Sequence, residues 1–284
     1  MDYFEIQTRK IVKRALEEDL GWGDVTTDNL IPDDVDAEGS IVSRRGGIVC
    51  GVGVVKMVFE SVDPDLELQV MLEDGESMRP EDVIAVVKGK AASILRGERV
   101  ALNFLQRMSG IATETARYVE AVRGLPVRIA DTRKTAPGLR VIDKYAVRVG
   151  GGMNHRLHLG DGVLIKDNHL AILNARGVLL KEVVSRIQQN SPRILHVEVE
   201  AKSVDEAEAA AEAGADIILL DNMDIDMMKA ATEAIAGRAL IEASGGMTLD
   251  IVRDVAETGV DFISVGALTH SVKSMDIALE LKLL

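Results

Sequence analysis

The stretch ILHVEVEAKSVDEAEAAAEAGADIILLD, residues 194–221, decides the fold class. It opens on a β-rich run carrying Glu198 and Glu200, crosses a helical segment and ends on a second β-rich run, IILLD. Ser203 is placed to cap that helix, Glu206 to complete a capping box and Gly214 to end it. Strand, helix and strand at this spacing form a βαβ unit of a parallel sheet. The pattern continues outward through VRIADT (127–132), GVLIKD (162–167), ALIEAS (239–244) and DFISVG (261–266). Six strands fall short of the eight of a full TIM barrel. The expectation is an incomplete TIM-like α/β barrel, with an open doubly wound sheet as the alternative.

Upstream the pattern is mixed. Phe4, Ile11, Val12, Ala15 and Leu16 recur at helical spacing, predicting a helix over 2–19. A turn-rich GWGDVTT follows, then short β-like runs around 38–43, 47–51, 66–72 and 83–87. Residues 93–122 read as one long helical stretch interrupted near Ser109-Gly110. The domain organisation expected is an N-terminal module over 1–110 and a barrel over 111–269.

Composition narrows the function classes. The 284 residues, 47% apolar and 28% charged, suffice for large hydrophobic cores without disulfide staples. One cysteine, Cys50, cannot pair within the chain, which points to a reducing, cytoplasmic compartment. The first twenty residues are dense in charge and lack a signal peptide's apolar core, and no run approaches a membrane span. With 33 Lys+Arg against 46 Asp+Glu, the net charge of −13 repels nucleic acid and anionic membranes.

Against that field, the cations between Arg133 and His169 stand out: Arg133, Lys134, Arg140, Lys144, Arg148, His155, Arg156, His158, Lys166 and His169. In α/β barrels chemistry collects where strands end. Here the ends carry Thr132, Arg133 and Lys134, then Lys166, then Glu198 and Glu200, then Asp221. The last two carry Ser244-Gly245-Gly246 and Val265-Gly266-Ala267, a pairing suited to holding a phosphate on backbone N–H groups. Thr248 is placed to cap the helix that follows SGGM. Glu198 and Glu200, two apart on one strand, face the same way and with Asp221 suit Mg²⁺ shared with substrate phosphates. The HxxH of His155 and His158 lacks a partner at zinc spacing. There is no Walker motif, and GVGVVK (51–56) lacks the third glycine of a dinucleotide fingerprint. Grouped cations imply a polyanionic, phosphorylated substrate.

The segments EDLGWGDVTT, ERVALNFLQRMSGIAT, DTRKTAPGLR, DKYAVRVGGGMNHRLHLGDGVLIKDNH, HVEVE, ILLDNM, SGGM and VGALTHS occur in that order over nearly the whole chain. Together they resemble the quinolinate phosphoribosyltransferase (nicotinate-nucleotide pyrophosphorylase, carboxylating) family. One loop departure is Ala136, where a second threonine is frequent; it removes no charge. The resemblance implies an N-terminal α/β sandwich joined by residues 270–284, a C-terminal barrel, and a homodimer in which one subunit's first domain covers the other's barrel. It implies that quinolinate and phosphoribosyl pyrophosphate give nicotinate mononucleotide, pyrophosphate and CO₂, with Mg²⁺, in NAD biosynthesis. On matching residues, Arg133, His155, Arg156 and Lys166 would hold the quinolinate carboxylates, with Arg99 from the partner subunit. Lys134 and Lys166 would face the phosphoribosyl group or pyrophosphate, Glu198 and Asp221 the ribose or Mg²⁺. Ser244, Gly245, Gly246, Gly266 and Ala267 would cradle the 5′-phosphate. The competing enzyme reading is a Schiff-base aldolase using Lys134 or Lys166. Others are nicotinate phosphoribosyl transfer, or ligand binding without turnover.

Overall fold

The hydrophobic runs sort into two sets of strands, one antiparallel and one parallel. The computed structural model describes residues 3–192 and 194–284. In chain order the elements are α1 (Tyr3–Leu20), α2 (Val25–Leu30), β1 (Asp36–Ser43), β2 (Gly47–Ile48), α3 (Val52–Val62), β3 (Glu67–Val70), β4 (Ser77–Met78), β5 (Val83–Lys90) and α4 (Ala91–Ala121). Then come β6 (Arg128–Ala130), α5 (Arg140–Val149), β7 (Val163–Ile165), α6 (Asp167–Asn174), α7 (Leu180–Asn190), β8 (Val197–Ala201), α8 (Val204–Ala213), β9 (Ile217–Asp221), α9 (Ile225–Ile235), β10 (Leu240–Ser244), α10 (Val252–Ala256), β11 (Phe262–Ser264), α11 (Ala267–His270) and β12 (Ile277–Leu283). Among the described residues no helix is long and apolar enough to cross a membrane.

The chain divides into two compact units. The first takes residues to Ala116, Thr135–Gly151 and Thr269–Leu284; the second takes Arg117–Lys134 and Gly152–Leu268. The boundary expected at 110/111 thus falls inside α4, and α5, expected with the barrel, groups with the first unit.

The first unit is built on a four-stranded sheet in the order β12-β1-β5-β3, antiparallel throughout. β12 pairs along β1 from Ala37↔Leu283 to Ser43↔Ile277. Helix α1 buries Thr8, Val12 and Leu16, and α3 buries Val54, Val55, Val58 and Phe59. Two helices were not evident in the sequence. Asp24 caps α2, its Oδ1 accepting the Thr26 and Thr27 amides at 3.1 and 3.0 Å. Asp74 reaches across to accept the Gly51 and Val52 amides at the start of α3.

The break expected at Ser109-Gly110 is absent: α4 runs unbroken from Ala91 to Ala121. Gly110 serves close approach instead. A Cβ there would strike the Lys273 carbonyl and come within 3.2 Å of Ser274 Cα. Ser109 exchanges hydrogen bonds with the Cys50 backbone, its Oγ accepting the amide at 3.0 Å and donating to the carbonyl at 3.2 Å.

The second unit holds six parallel strands in the order β6-β11-β10-β9-β8-β7, the incomplete α/β barrel read from the sequence. β6 and β7, first and second in the chain, stand at opposite ends of that order. Beside β6, Met153 makes a parallel bridge to Ala130, which brings the GGGMNHR segment alongside the strand. Ser203 caps α8 as expected, Oγ accepting the Glu206 amide at 3.2 Å, and Gly214 ends it at φ +85°. The Glu206 carboxylate goes one residue further back, to the Lys202 amide.

Candidate active site

The strand ends of the second unit converge on one pocket lined by Thr132, Arg133, Lys134, His155, Arg156, Leu164, Lys166, Glu200, Leu219, Asp221, Glu242, Ser244 and Ser264. Every cation proposed for substrate from this unit is present. They arrive from three segments: Arg133 and Lys134 after β6, His155 and Arg156 ahead of β7, and Lys166 directly after β7. Beyond β6 the chain turns with the Lys134 amide donating to Thr132 Oγ1 at 3.0 Å, and so presents Arg133 and Lys134. The segment 153–156 is clamped next to it by Asp131, fully buried, whose Oδ1 accepts the His155 amide at 2.8 Å and Oδ2 the Asn154 side-chain amide at 2.7 Å. Lys166 follows β7 and caps α6, its amide donating to His169 Nδ1 at 3.0 Å.

Charge is concentrated here. Burial and the neighbouring Arg133 lower the Arg156 guanidinium from its ordinary range, with Glu198 and Asp161 opposing. A partly buried guanidinium beside a second one gains from an anion bound between them. On the other wall Glu200 is raised from the usual carboxylate range, first by burial and then by Asp221, while Lys166 opposes. Lys166 Nζ lies 3.8 Å from Glu200 Oε2. Glu200 and Asp221 are therefore a partly buried oxygen donor pair that gains from a cation between protein and substrate.

This corrects one assignment. Glu198, expected beside Asp221, is not among the pocket's lining; Glu200 is. Both side chains leave β8 on the same face, but two residues separate them along the strand by roughly 6.6 Å. Glu198 lies toward the strand's N-terminal end, 5% exposed, with its Oε2 3.2 Å from His155 Nε2. Its Oε1 is buried with no hydrogen-bond partner.

Glu242 was missed altogether. It is 4% exposed, accepts the Ser264 hydroxyl, and lies with Oε1 3.6 Å from His155 Nε2. Burial, and next the charge of Glu198, push its carboxyl up to about 7. The signal was available: in ALIEAS the period of two that points Ser244 inward also points Glu242 inward. His155, expected to hold a quinolinate carboxylate, has both ring nitrogens engaged by protein groups instead, Nδ1 accepting the Arg156 amide at 2.8 Å and Nε2 facing Glu198. His158 turns away, exposed, with Nε2 2.9 Å from Asp161 Oδ1, so the HxxH pair does not converge.

Of the phosphate-binding set, Ser244 lines the pocket, and Gly245 and Gly246 follow at φ +94° and +61°. Gly245 is required twice over, because a Cβ would also overlap the Asn222 side chain. Val265 departs from expectation: it is fully buried and its N–H is donated to Ala130 O at 2.9 Å, so it serves the sheet. Gly266 and Ala267 follow it into α11. The helix after SGGMT starts only at Val252, following a turn in which Thr248 O accepts the Ile251 and Val252 amides. Arg99 lies exposed on α4 in the first unit.

Comparison with known proteins gives the same answer over the whole chain. Residues 24–109 match the quinolinate phosphoribosyl transferase N-terminal domain and 111–280 the C-terminal domain. A quinolinate phosphoribosyltransferase [decarboxylating] of Nicotiana tabacum is 42% identical over 96% of this chain and 82% of its own length. A probable nicotinate-nucleotide pyrophosphorylase [carboxylating] of Bacillus subtilis is 40% identical over 98% and 94%. The crystal structure of NadC from Streptococcus pyogenes superposes with a TM-score of 0.93 at 39% identity, covering 100% of this chain and 99% of that one. A chain with these domains, strand ends and relatives belongs to the decarboxylating quinolinate phosphoribosyltransferases, pentosyl-transferring enzymes of NAD biosynthesis.

Proposed function

We propose that this chain transfers the phosphoribosyl group of phosphoribosyl pyrophosphate to quinolinate and releases nicotinate mononucleotide, pyrophosphate and CO₂. The observation that carries the reading is the single pocket in which Arg133, Lys134, Arg156 and Lys166 face Glu200 and Asp221. Arg133, Arg156 and Lys166 bind the two quinolinate carboxylates and aim the ring nitrogen at the ribose. As pyrophosphate leaves, positive charge grows on the ribosyl centre beside Glu200 and Asp221, while Lys134 and Lys166 receive the leaving charge. Nitrogen attack makes a pyridinium. That cation holds the electron pair left when the adjacent carboxylate departs as CO₂, and a proton then replaces it on carbon. Ser244, Gly245, Gly246, Gly266 and Ala267 hold the 5′-phosphate. Glu200 and Asp221 are the residues that would hold Mg²⁺ together with substrate oxygens; when bound, it offsets pyrophosphate charge.

A homodimer is part of the reading, with Arg99 reaching the neighbour's substrate, and an active monomer by light scattering at assay concentration would overturn it. A reducing, cytoplasmic setting is inferred from the lone, buried Cys50, whose thiol burial raises far out of the thiolate range. The deciding assay supplies quinolinate, phosphoribosyl pyrophosphate and Mg²⁺ and follows CO₂ and mononucleotide together, with nicotinate in a parallel tube. Equal release from quinolinate alone is expected. Turnover of nicotinate but not quinolinate refutes the substrate.

A further inference from the structure

Beneath the cations, the second unit encloses a group of side chains that the proposed chemistry leaves unused. Asp131, Glu198 and Glu242 are all buried, and the imidazole of His155 lies among them. Its Nε2 stands 3.2 Å from Glu198 Oε2 and 3.6 Å from Glu242 Oε1. Its Nδ1 accepts the Arg156 amide at 2.8 Å. A ring nitrogen that accepts an N–H carries no proton, so the proton of the neutral ring sits on Nε2 and faces the two carboxylates.

The three ligand atoms lie within 4.8 Å of one another, so a metal centre is the competing account. A metal on Nε2 would take the place of that proton, and metal-bound histidines donate from their other nitrogen. Here Nδ1 accepts, and a hydrogen-bonded cluster is the better description. The carboxylates are fixed in turn, since Glu242 Oε1 accepts the Ser264 hydroxyl. The main chain is held on both sides of the ring: Asp131 accepts the His155 amide, and the ring itself accepts the next one. That next residue is Arg156, whose Nη1 donates to Gly162 O at 3.0 Å and whose side chain lines the pocket with Arg133.

We propose that Glu242, acting with Glu198, is a positioning residue for substrate recognition: the pair holds His155 as the Nε2–H tautomer, and the ring so held fixes the peptide that aims Arg156 at a substrate carboxylate. The inference rests on reading the cation pocket as the quinolinate site. Loss of one such hydrogen bond acts through Arg156 on binding more than on chemistry.

The test uses the full chain with ¹⁵N-labelled histidine, read by long-range ¹H–¹⁵N correlation, beside steady-state kinetics. Wild type should show His155 as the Nε2–H tautomer, and Glu198→Ala combined with Glu242→Ala, which leaves Nε2 neither carboxylate, should abolish that preference. Glu242→Ala alone should raise the quinolinate KM about tenfold, with kcat and the phosphoribosyl pyrophosphate KM within about threefold. Glu242→Gln, whose Oε1 can still accept from His155 and Ser264, should restore that KM. An Nδ1–H tautomer in wild type overturns the proposal, even where Glu242→Ala fails to fold. So does an unchanged quinolinate KM in a folded Glu242→Ala, or an unchanged tautomer in the folded double variant. Wild type inert toward quinolinate would instead count against the site reading, leaving the tautomer to decide this one.

Discussion

Replacing Glu242 by glutamine should make this protein more stable at pH 8 and leave it nearly unchanged at pH 4.5. In the folded chain the Glu242 carboxyl titrates near 7 against 4.5 for an unhindered glutamate, because burial and the Glu198 charge oppose its ionisation. The sign follows from proton counting. Between pH 4.5 and 7 the folded state binds more protons at this site than the unfolded state, so its contribution to stability falls as pH rises. The penalty is absent below the unfolded value and complete above the folded one. A shift of this size corresponds to roughly 3 kcal/mol. Glutamine removes the ionisation and can keep an oxygen for the Ser264 hydroxyl. The midpoint gain at pH 8 should be roughly 5–10 °C, shrinking steadily toward pH 4.5. Differential scanning calorimetry of both proteins across that range supplies the check. A variant less stable than wild type at pH 8, or a difference independent of pH, refutes the account of a charge confined in the barrel.

Other expectations follow from the same geometry. Arg133→Ala and Lys166→Ala should each lower kcat/KM by roughly two orders of magnitude or more with circular dichroism unchanged, since each removes a charge from a paired anion receptor. Glu200→Gln should lower kcat at least about a hundredfold. Near-normal kcat in a folded Glu200→Gln would return that role to Glu198. Borohydride with a carbonyl substrate should trap no adduct on Lys134 or Lys166; a stable adduct would favour the aldolase reading. Gly110→Ala, which in an exposed helix would stabilise by about 1 kcal/mol, should instead destabilise by a few. Its methyl meets the Lys273 carbonyl, and urea titration reads the sign directly.

What could be read from the sequence was set by local signals. The six parallel strands and the cations at their ends were legible because hydrophobic runs and strand-end polarity are neighbours in the chain. Choosing between Glu198 and Glu200 was not, since both share a face and only height within the barrel separates them. Glycine 110 misled because a glycine inside a helical pattern carries the same letter whether it ends a helix or admits a neighbouring backbone. Val265 sat between glycines that suggested a phosphate loop, yet its amide completes the β6–β11 ladder toward Ala130. Helices α2 and α3 depend on Asp24 and Asp74, and Asp74 lies 23 residues from the amide it caps.

The pairing of β12 with β1 has a consequence in time as well as space. Ser43 must wait for Ile277, and Ala37 for Leu283, before that ladder can close. At ordinary translation rates the interval is roughly 10–50 s for every copy made. Throughout it, β1 can bind β5 on one side while its other side offers unpaired amides and carbonyls to any extended segment nearby. The nascent chain's hazard is thus concentrated on one strand edge. Chaperone demand during synthesis should track the delay before residues 277–283 emerge.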